Sequence, residues 1–202
     1  SRDLSKGQAA ADQLVEDNID TQAVQLDVTS HDSIVKAVQK ITNDYGYLSI
    51  LINNAGAVFD YGQYPSNITQ VNLRQNFEVN YFGLVDVTQN FLPLLAKSTS
   101  AKIINVSSMM GSITEALNPN SAVYNAVAVG YQSSKSAVNM YTVQLAKEMQ
   151  RRKLSISVNA INPGMVATEF GNLDPEQAKT MGAIPVEKGV ARTVEMAISQ
   201  DN

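Results

Sequence analysis

With 202 residues, 44% of them hydrophobic and 17% charged, the chain has room for one domain with a sizeable core and the make-up of an ordinary globular protein. A net charge of -4 and a pI near 5.0 give no electrostatic footprint for nucleic acid, no run of 18 apolar residues offers a membrane span, and the first residues do not read as a signal peptide. The absence of Cys excludes disulfides, thiolate nucleophiles and cysteine zinc sites and fits a cytoplasmic setting, while the single imidazole, His31, is too little for a metal centre.

Helical and strand patterns alternate along the chain. Residues 6–17 read as a helix with Ala9, Ala10, Leu14 and Val15 on its apolar side, followed by a short strand, Ala23 to Leu26, ending at Asp27. His31 follows Thr29-Ser30 at the start of a helix over 31–44 and reads as a solvated first-turn residue, not as part of a serine–histidine triad. A strand at 48–52 breaks into Asn53-Asn54-Ala55-Gly56. A long helix is expected over about 70–97, then a strand from Lys102 to Ser107 and a less regular stretch, 109–130. A helix over about 131–151 ends in Arg151-Arg152-Lys153, cations that complement the helix dipole there. The strand Ile156 to Ile161 leaves through Asn162-Pro163-Gly164, and a loop with one or two helices closes the chain. Strands separated by helices predict an α/β architecture, a doubly wound parallel sheet with helices on both faces. In such sheets ligands bind beyond the carboxyl ends of the strands, which here carry Asp27, Asn53 to Gly56, Ser107-Ser108 and Asn162 to Gly164.

Tyr131 and Lys135 stand one helical turn apart and so share a face. A fixed ammonium beside a phenol favours the phenolate and is expected to lower the tyrosine's pKa from about 10, making a proton donor and acceptor for a reacting oxygen. Eight tyrosines in the chain make a chance Tyr–Lys pair common, but Tyr131 is the one with Lys at this offset; four residues after Tyr124 comes Ala128. Asn53 to Gly56 fits two readings, a close approach of backbone to a planar ligand or a turn needing left-handed dihedrals. Ser107-Ser108 either supplies hydroxyls to the same edge or forms a turn.

Taken together and in order, Asp27-Val28, Asn53-Asn54-Ala55-Gly56, Asn80 in a helix, Ser107-Ser108, Tyr131 through Lys135, and Pro163-Gly164 with Thr168 closely resemble the short-chain dehydrogenase/reductase family over essentially the whole chain. The opening Ser1-Arg2-Asp3 with Lys6-Gly7-Gln8-Ala9-Ala10 is similar to its carbonyl-reductase branch. The resemblance implies a Rossmann-like fold, a single dinucleotide-binding domain over 1–202, and an oxidoreductase interconverting a ketone or aldehyde and an alcohol. NADP(H) would be the preferred cofactor, with NAD(H) possible. Tyr131 would be the general acid/base, Lys135 would hold its pKa down and bind the nicotinamide ribose, Ser108 would bind the substrate oxygen, and Asn80 would hold a water linking Lys135 to solvent. Asp27 and Val28 would contact adenine, Asn53, Ala55 and Gly56 would line the cofactor, Pro163, Gly164, Val166 and Thr168 would border the nicotinamide, and Arg2 would meet the 2′-phosphate. The partner is a small carbonyl or alcohol, with no nucleic acid, membrane or metal; monomer and homo-oligomer both remain open.

Two departures qualify this. The stretch between Ser108 and Tyr131 is longer than most of the family has and suits a lid or apolar wall, with Tyr124 within it. The family's opening strand, glycine-rich turn and second strand, and its final strand, are not among these residues, so an incomplete reductase with an unpaired strand edge is expected, and a polypeptide beginning at Ser1 is expected to fold poorly and to have no useful cofactor affinity. A non-catalytic, truncated reductase acting only as an interaction module is the alternative.

Overall fold

The computed structural model describes residues 1–199; Gln200 to Asn202, the last three residues of the expected 1–202 domain, lie outside the described residues. Three parallel strands, β1 (Ile50–Asn53), β2 (Ala101–Val106) and β3 (Ile156–Ile161), form one sheet in the order β1-β2-β3. The helices are α1 (Leu4–Glu16), α2 (His31–Asp44), α3 (Gln70–Phe77), α4 (Gly83–Leu95), α5 (Ile113–Leu117), α6 (Val129–Arg151), α7 (Pro175–Thr180) and α8 (Val186–Ile198). Local chemistry starts them where the sequence suggests. Asp3 caps α1, Ser30 caps α2, Thr69 caps α3 and Asp174 caps α7, each through a side-chain oxygen that accepts first-turn N–H groups.

Strand alternation decides which face each side chain enters. Ile103 points into the main core, built from Ile34 and Ala37 of α2, Val87, Phe91 and Leu95 of α4, and Leu145 and Met149 of α6. Its neighbour Lys102 points to the opposite face, where its ammonium donates to the Met196 and Ser199 carbonyls and the Ser199 hydroxyl. A cation at those carbonyls satisfies acceptors that the end of α8 leaves open. Helices therefore cover both faces of β2, and the doubly wound architecture holds. β1 is different: Leu51 packs on the core, whereas Ile50 and Ile52 on its other face are 38% and 42% exposed.

Two expectations are corrected. Residues 23–26 are not a strand, because no ladder forms there. Their cross-chain backbone bonds go to Ser1, whose carbonyl accepts from Leu26 N–H and whose ammonium donates to the Val24 carbonyl. The helix expected over 70–97 is interrupted by a π-helical turn, Glu78–Phe82, between α3 and α4. A widened turn of this kind re-aims one side chain, here Asn80. At Gly83, just after it, an added Cβ would stand 2.6 Å from the Val28 carbonyl oxygen, so only glycine allows α4 to approach that segment. The irregular stretch after β2 contains a 3₁₀ turn, Met109–Gly111, and the short α5. None of the described helices is long and apolar enough to cross a membrane.

Candidate active site

Because the strands are parallel, β1, β2 and β3 all deliver their exits to one edge of the sheet, where α6 presents its first two turns. Tyr131 and Lys135 lie there, 7% and 3% exposed, with the Lys135 Nζ 5.7 Å from the centre of the Tyr131 ring. The two serines after β2 divide their tasks. Ser107 is buried and donates to Asn139 Oδ1 at 2.6 Å, holding the strand exit against α6. Ser108 lies close enough to the Tyr131 phenol to favour its ionised form, and its Oγ accepts from Met110 N–H at 3.2 Å. Asn80 is fully buried: its Nδ2 donates to the Ala57 carbonyl (2.8 Å) and Ser134 Oγ (3.1 Å), and its Oδ1 accepts from Ala57 N–H (2.9 Å). Gly56 lies beside them, so that a Cβ built on it would be 3.4 Å from Asn80 Oδ1 and 3.7 Å from Lys135 Nζ. The four residues of the expected catalytic set and the β1 exit thus occupy one small volume.

The electrostatics differ from the sequence expectation in one respect. The pKa of the Tyr131 phenol is raised, not lowered. Burial, the larger influence, pushes it up, and Ser108 opposes this only in part. The Lys135 ammonium donates to the Val106 carbonyl at 2.8 Å. With no carboxylate paired to it among the described residues, burial lowers its own pKa from 10.5 to about 8.

The remaining predicted residues divide between two places. Val28, Asn53 and Ala55 line one apolar cavity of about 210 Å³ that also touches Leu26, Leu51 and Leu84. Asn53 closes β1 rather than opening a loop, and its amide points inward, donating to Thr88 Oγ1 (2.9 Å) and Asn105 Oδ1 (2.8 Å). Asp27 accepts from the hydroxyl and N–H of Thr29, which hold its carboxyl below the usual range, with exposed Arg2 adding a weaker pull. Beyond β3, Gly164 adopts a left-handed φ of +79°, and its N–H donates to Asn162 Oδ1. Val166 bridges to Ile184, and Thr168 Oγ1 accepts from Phe170 N–H. The loop after β3 thereby brings Phe170 against Tyr131, ring centres 5.9 Å apart.

Phe170, Ser134, Asn76 and Asp60 belong to this neighbourhood and were not anticipated. The repeat Asn72, Asn76, Asn80 at four-residue spacing was a usable signal for a polar stripe; Phe170 and Asp60 sit in irregular segments and carry none. Tyr124 lies exposed in the 109–130 stretch, and Tyr131 is the tyrosine whose phenol Ser108 influences.

The sequence profile of the short chain dehydrogenase family matches residues 1–179. The chain belongs to that family. It is 35% identical over 182 residues to a short-chain dehydrogenase/reductase of Aspergillus fumigatus, covering 85% of this chain and 68% of the relative. It is 32% identical over 192 residues to a short-chain dehydrogenase of Penicillium roqueforti, covering 92% and 74%. Among solved structures, the NADPH-bound carbonyl reductase from chicken fatty liver superimposes with a TM-score of 0.80 at 25% identity, covering 98% of this chain and 77% of that one. The short-chain dehydrogenase fold is thus present with a three-stranded parallel sheet, and the chain spans part of each relative's length.

Proposed function

We propose that this short-chain dehydrogenase is an NADP(H)-dependent oxidoreductase interconverting a ketone or aldehyde and the corresponding alcohol, with Tyr131 as general acid/base. The observation that carries the reading is the convergence of buried Tyr131, Lys135 and Asn80 with half-buried Ser108 around the exits of β1 and β2. For carbonyl reduction, Ser108 donates to the substrate oxygen as charge develops on it, and Tyr131 delivers the proton. A neutral phenol is the form that donates, and the upward push of burial keeps Tyr131 in that form. Lys135, near pKa 8, would replace the proton, and Asn80, fastened to the β1 exit, would help hold a water that links Lys135 to solvent.

The residues present fit a nicotinamide cofactor at two points. Gly56, beside Lys135, lets bare backbone border the site, and Val28, Asn53 and Ala55 wall an apolar cavity suited to adenine. The cofactor, when bound, supplies the hydride. Arg2, whose charge already reaches Asp27, would meet the 2′-phosphate that distinguishes NADP(H) from NAD(H). Pro163, Gly164, Val166 and Thr168 would border the nicotinamide. Residues 1–202 are taken as a single dinucleotide-binding domain working in the cytoplasm.

The test is loss of NADPH absorbance with a panel of ketones and aldehydes, using Tyr131→Phe as the control. Turnover that falls by a factor of about a hundred or more in the variant is expected. Equal rates in variant and parent would overturn the mechanism, and no turnover in the parent would favour an interaction module.

A further inference from the structure

Helix α6 carries Tyr131 and Lys135 yet has no side-chain cap of its own; its N-cap residue is Ala128. The first-turn N–H groups of a helix need acceptors, usually a side chain at the N-cap. Here the acceptor comes from elsewhere. Asp60, in the segment after β1, receives Gly130 N–H on Oδ2 at 2.5 Å and Tyr131 N–H on Oδ1 at 3.2 Å. A third donor is Asn76 Nδ2 of α3, at 3.0 Å. Asp60 is 1% exposed and Asn76 fully buried, and no cation pairs with the carboxylate among the described residues. Gly130 makes the approach possible: a Cβ there would stand 2.9 Å from Asn76 Nδ2 and 3.0 Å from Asp60 Oδ2.

A serine at 128 could cap α6 without burying a charge, and a buried carboxylate lacking a cation is costly. What Asp60 adds is a connection. Its own segment is held to the site twice more, by Asn80 on both backbone groups of Ala57 and by Asn76 Oδ1 on Phe59 N–H. The carboxylate therefore joins the β1 exit to the backbone of Tyr131 itself. We infer that Asp60 is a positioning residue, which fixes the Tyr131 phenol relative to the β1-exit loop and so sets the proton-transfer geometry of the reaction. This rests on the reading of Tyr131 as general acid/base.

Asp60→Asn keeps the volume and removes the charge and one acceptor. Three measurements on this variant and the parent decide the matter: kcat and KM with NADPH and a carbonyl substrate, the thermal midpoint, and the titration of each tyrosine by NMR with ¹³C at the phenol carbon. A misplaced proton donor predicts kcat lower by about ten- to a hundredfold with the KM for NADPH within about twofold. Two charged groups stand next to Tyr131, Lys135 beside its ring on the same helix and Asp60 on its backbone N–H from the β1 exit; Ser108 and Phe170 also lie beside it. Looser burial of the ring favours the phenolate, so the Tyr131 midpoint falls by about half a pH unit while the other tyrosines stay. Adding Ala128→Ser to Asp60→Asn restores the thermal midpoint but not kcat. The inference is overturned if the Tyr131 titration is unchanged, if all tyrosines shift together, or if Ala128→Ser restores kcat with stability. Should the parent turn over no carbonyl, the proposed function fails, and the Tyr131 titration alone still decides the role of Asp60.

Discussion

Replacing Lys135 by Met should make the protein more stable at neutral pH while removing its turnover. The Lys135 ammonium is 3% exposed, its hydrogen bond goes to the Val106 carbonyl, and burial brings its pKa from 10.5 to about 8. At about 1.4 kcal/mol per pH unit, the displacement corresponds to a cost of about 3 kcal/mol for holding the charge in the folded state. Below pH 8 the lysine is protonated folded and unfolded, and the whole cost is present. Between pH 8 and 10.5 the folded state releases the proton first, so the unfolded chain binds more protons and stability rises with pH. Above 10.5 the cost is gone. Methionine retains an apolar stem of similar length but leaves the Val106 carbonyl without this donor, a loss of about 1–2 kcal/mol. Lys135→Met should therefore exceed the parent by about 1–2 kcal/mol at pH 7.

Urea unfolding of both proteins at intervals from pH 7 to 11 measures this. Other titrating groups are common to the two and cancel, and Tyr131, pushed up by burial, stays protonated through most of the range. The difference in unfolding free energy should swing by about 3 kcal/mol in favour of the parent as the pH rises. Parallel stability curves would refute the reasoning, since they would mean that the buried ammonium carries no net penalty. A gain in stability together with lost turnover is what a group held for chemistry produces.

Two further substitutions probe the framework. Asn105→Ala removes the amide that joins Asn53 to Thr142 and leaves a buried Asn53 N–H without an acceptor, a loss of about 2–4 kcal/mol. At about 2–4 °C per kcal/mol for a chain of this size, the thermal midpoint should fall by roughly 5–15 °C, and an unchanged melt would contradict the network. Gly111→Ala places a Cβ 2.7 Å from the Lys135 carbonyl carbon and 2.9 Å from Ser136 N. Since α6 cannot yield there, the turn beside Ser108 must move, lowering stability by about 1–3 kcal/mol and turnover by about tenfold or more, read by thermal melts and steady-state kinetics.

Features set by local pattern were legible in the sequence. Helix 31–44 and strand 156–161 match α2 and β3 residue for residue, and the one-turn spacing of Tyr131 and Lys135 places both on the same face of α6. What escaped depends on partners distant in the chain. Ala23 to Leu26 has a strand's composition, but a ladder needs a neighbour and finds only Ser1. Periodicity over 70–97 could not show the π-turn, because the contact that uses it runs from Asn80 to Ala57, 23 residues away. Asn53 followed a strand pattern and resembled a loop start, yet its amide partners Thr88 and Asn105 lie 35 and 52 positions on and hold it in the sheet. The Tyr131–Lys135 pair was visible, but the burial that reverses the expected direction of the phenol's shift was not.

The same long-range bonds explain why sheet and site stand or fall together. Asn53 and Asn105 are register partners, and through Thr88 and Thr142 their amides link α4, β1, β2 and α6 across the interior. A slip of one residue in either strand would send its asparagine to the opposite face and break the Asn53–Asn105 bond, so the ladder specifies register as well as adding stability. Register in turn spaces the site. Lys135 is fastened to Val106 at the end of β2, Asn80 to Ala57 beyond β1, and Ser108 follows β2 by two residues. The separations among the four side chains are therefore inherited from strand pairing, with Asp60 adding to the Asn80–Ser134 bond a second tie between α6 and the β1 exit. On this account a variant that weakens the asparagine ladder loosens the geometry of proton transfer before it unfolds the chain, and Asn105→Ala should lose turnover at temperatures well below its lowered melt.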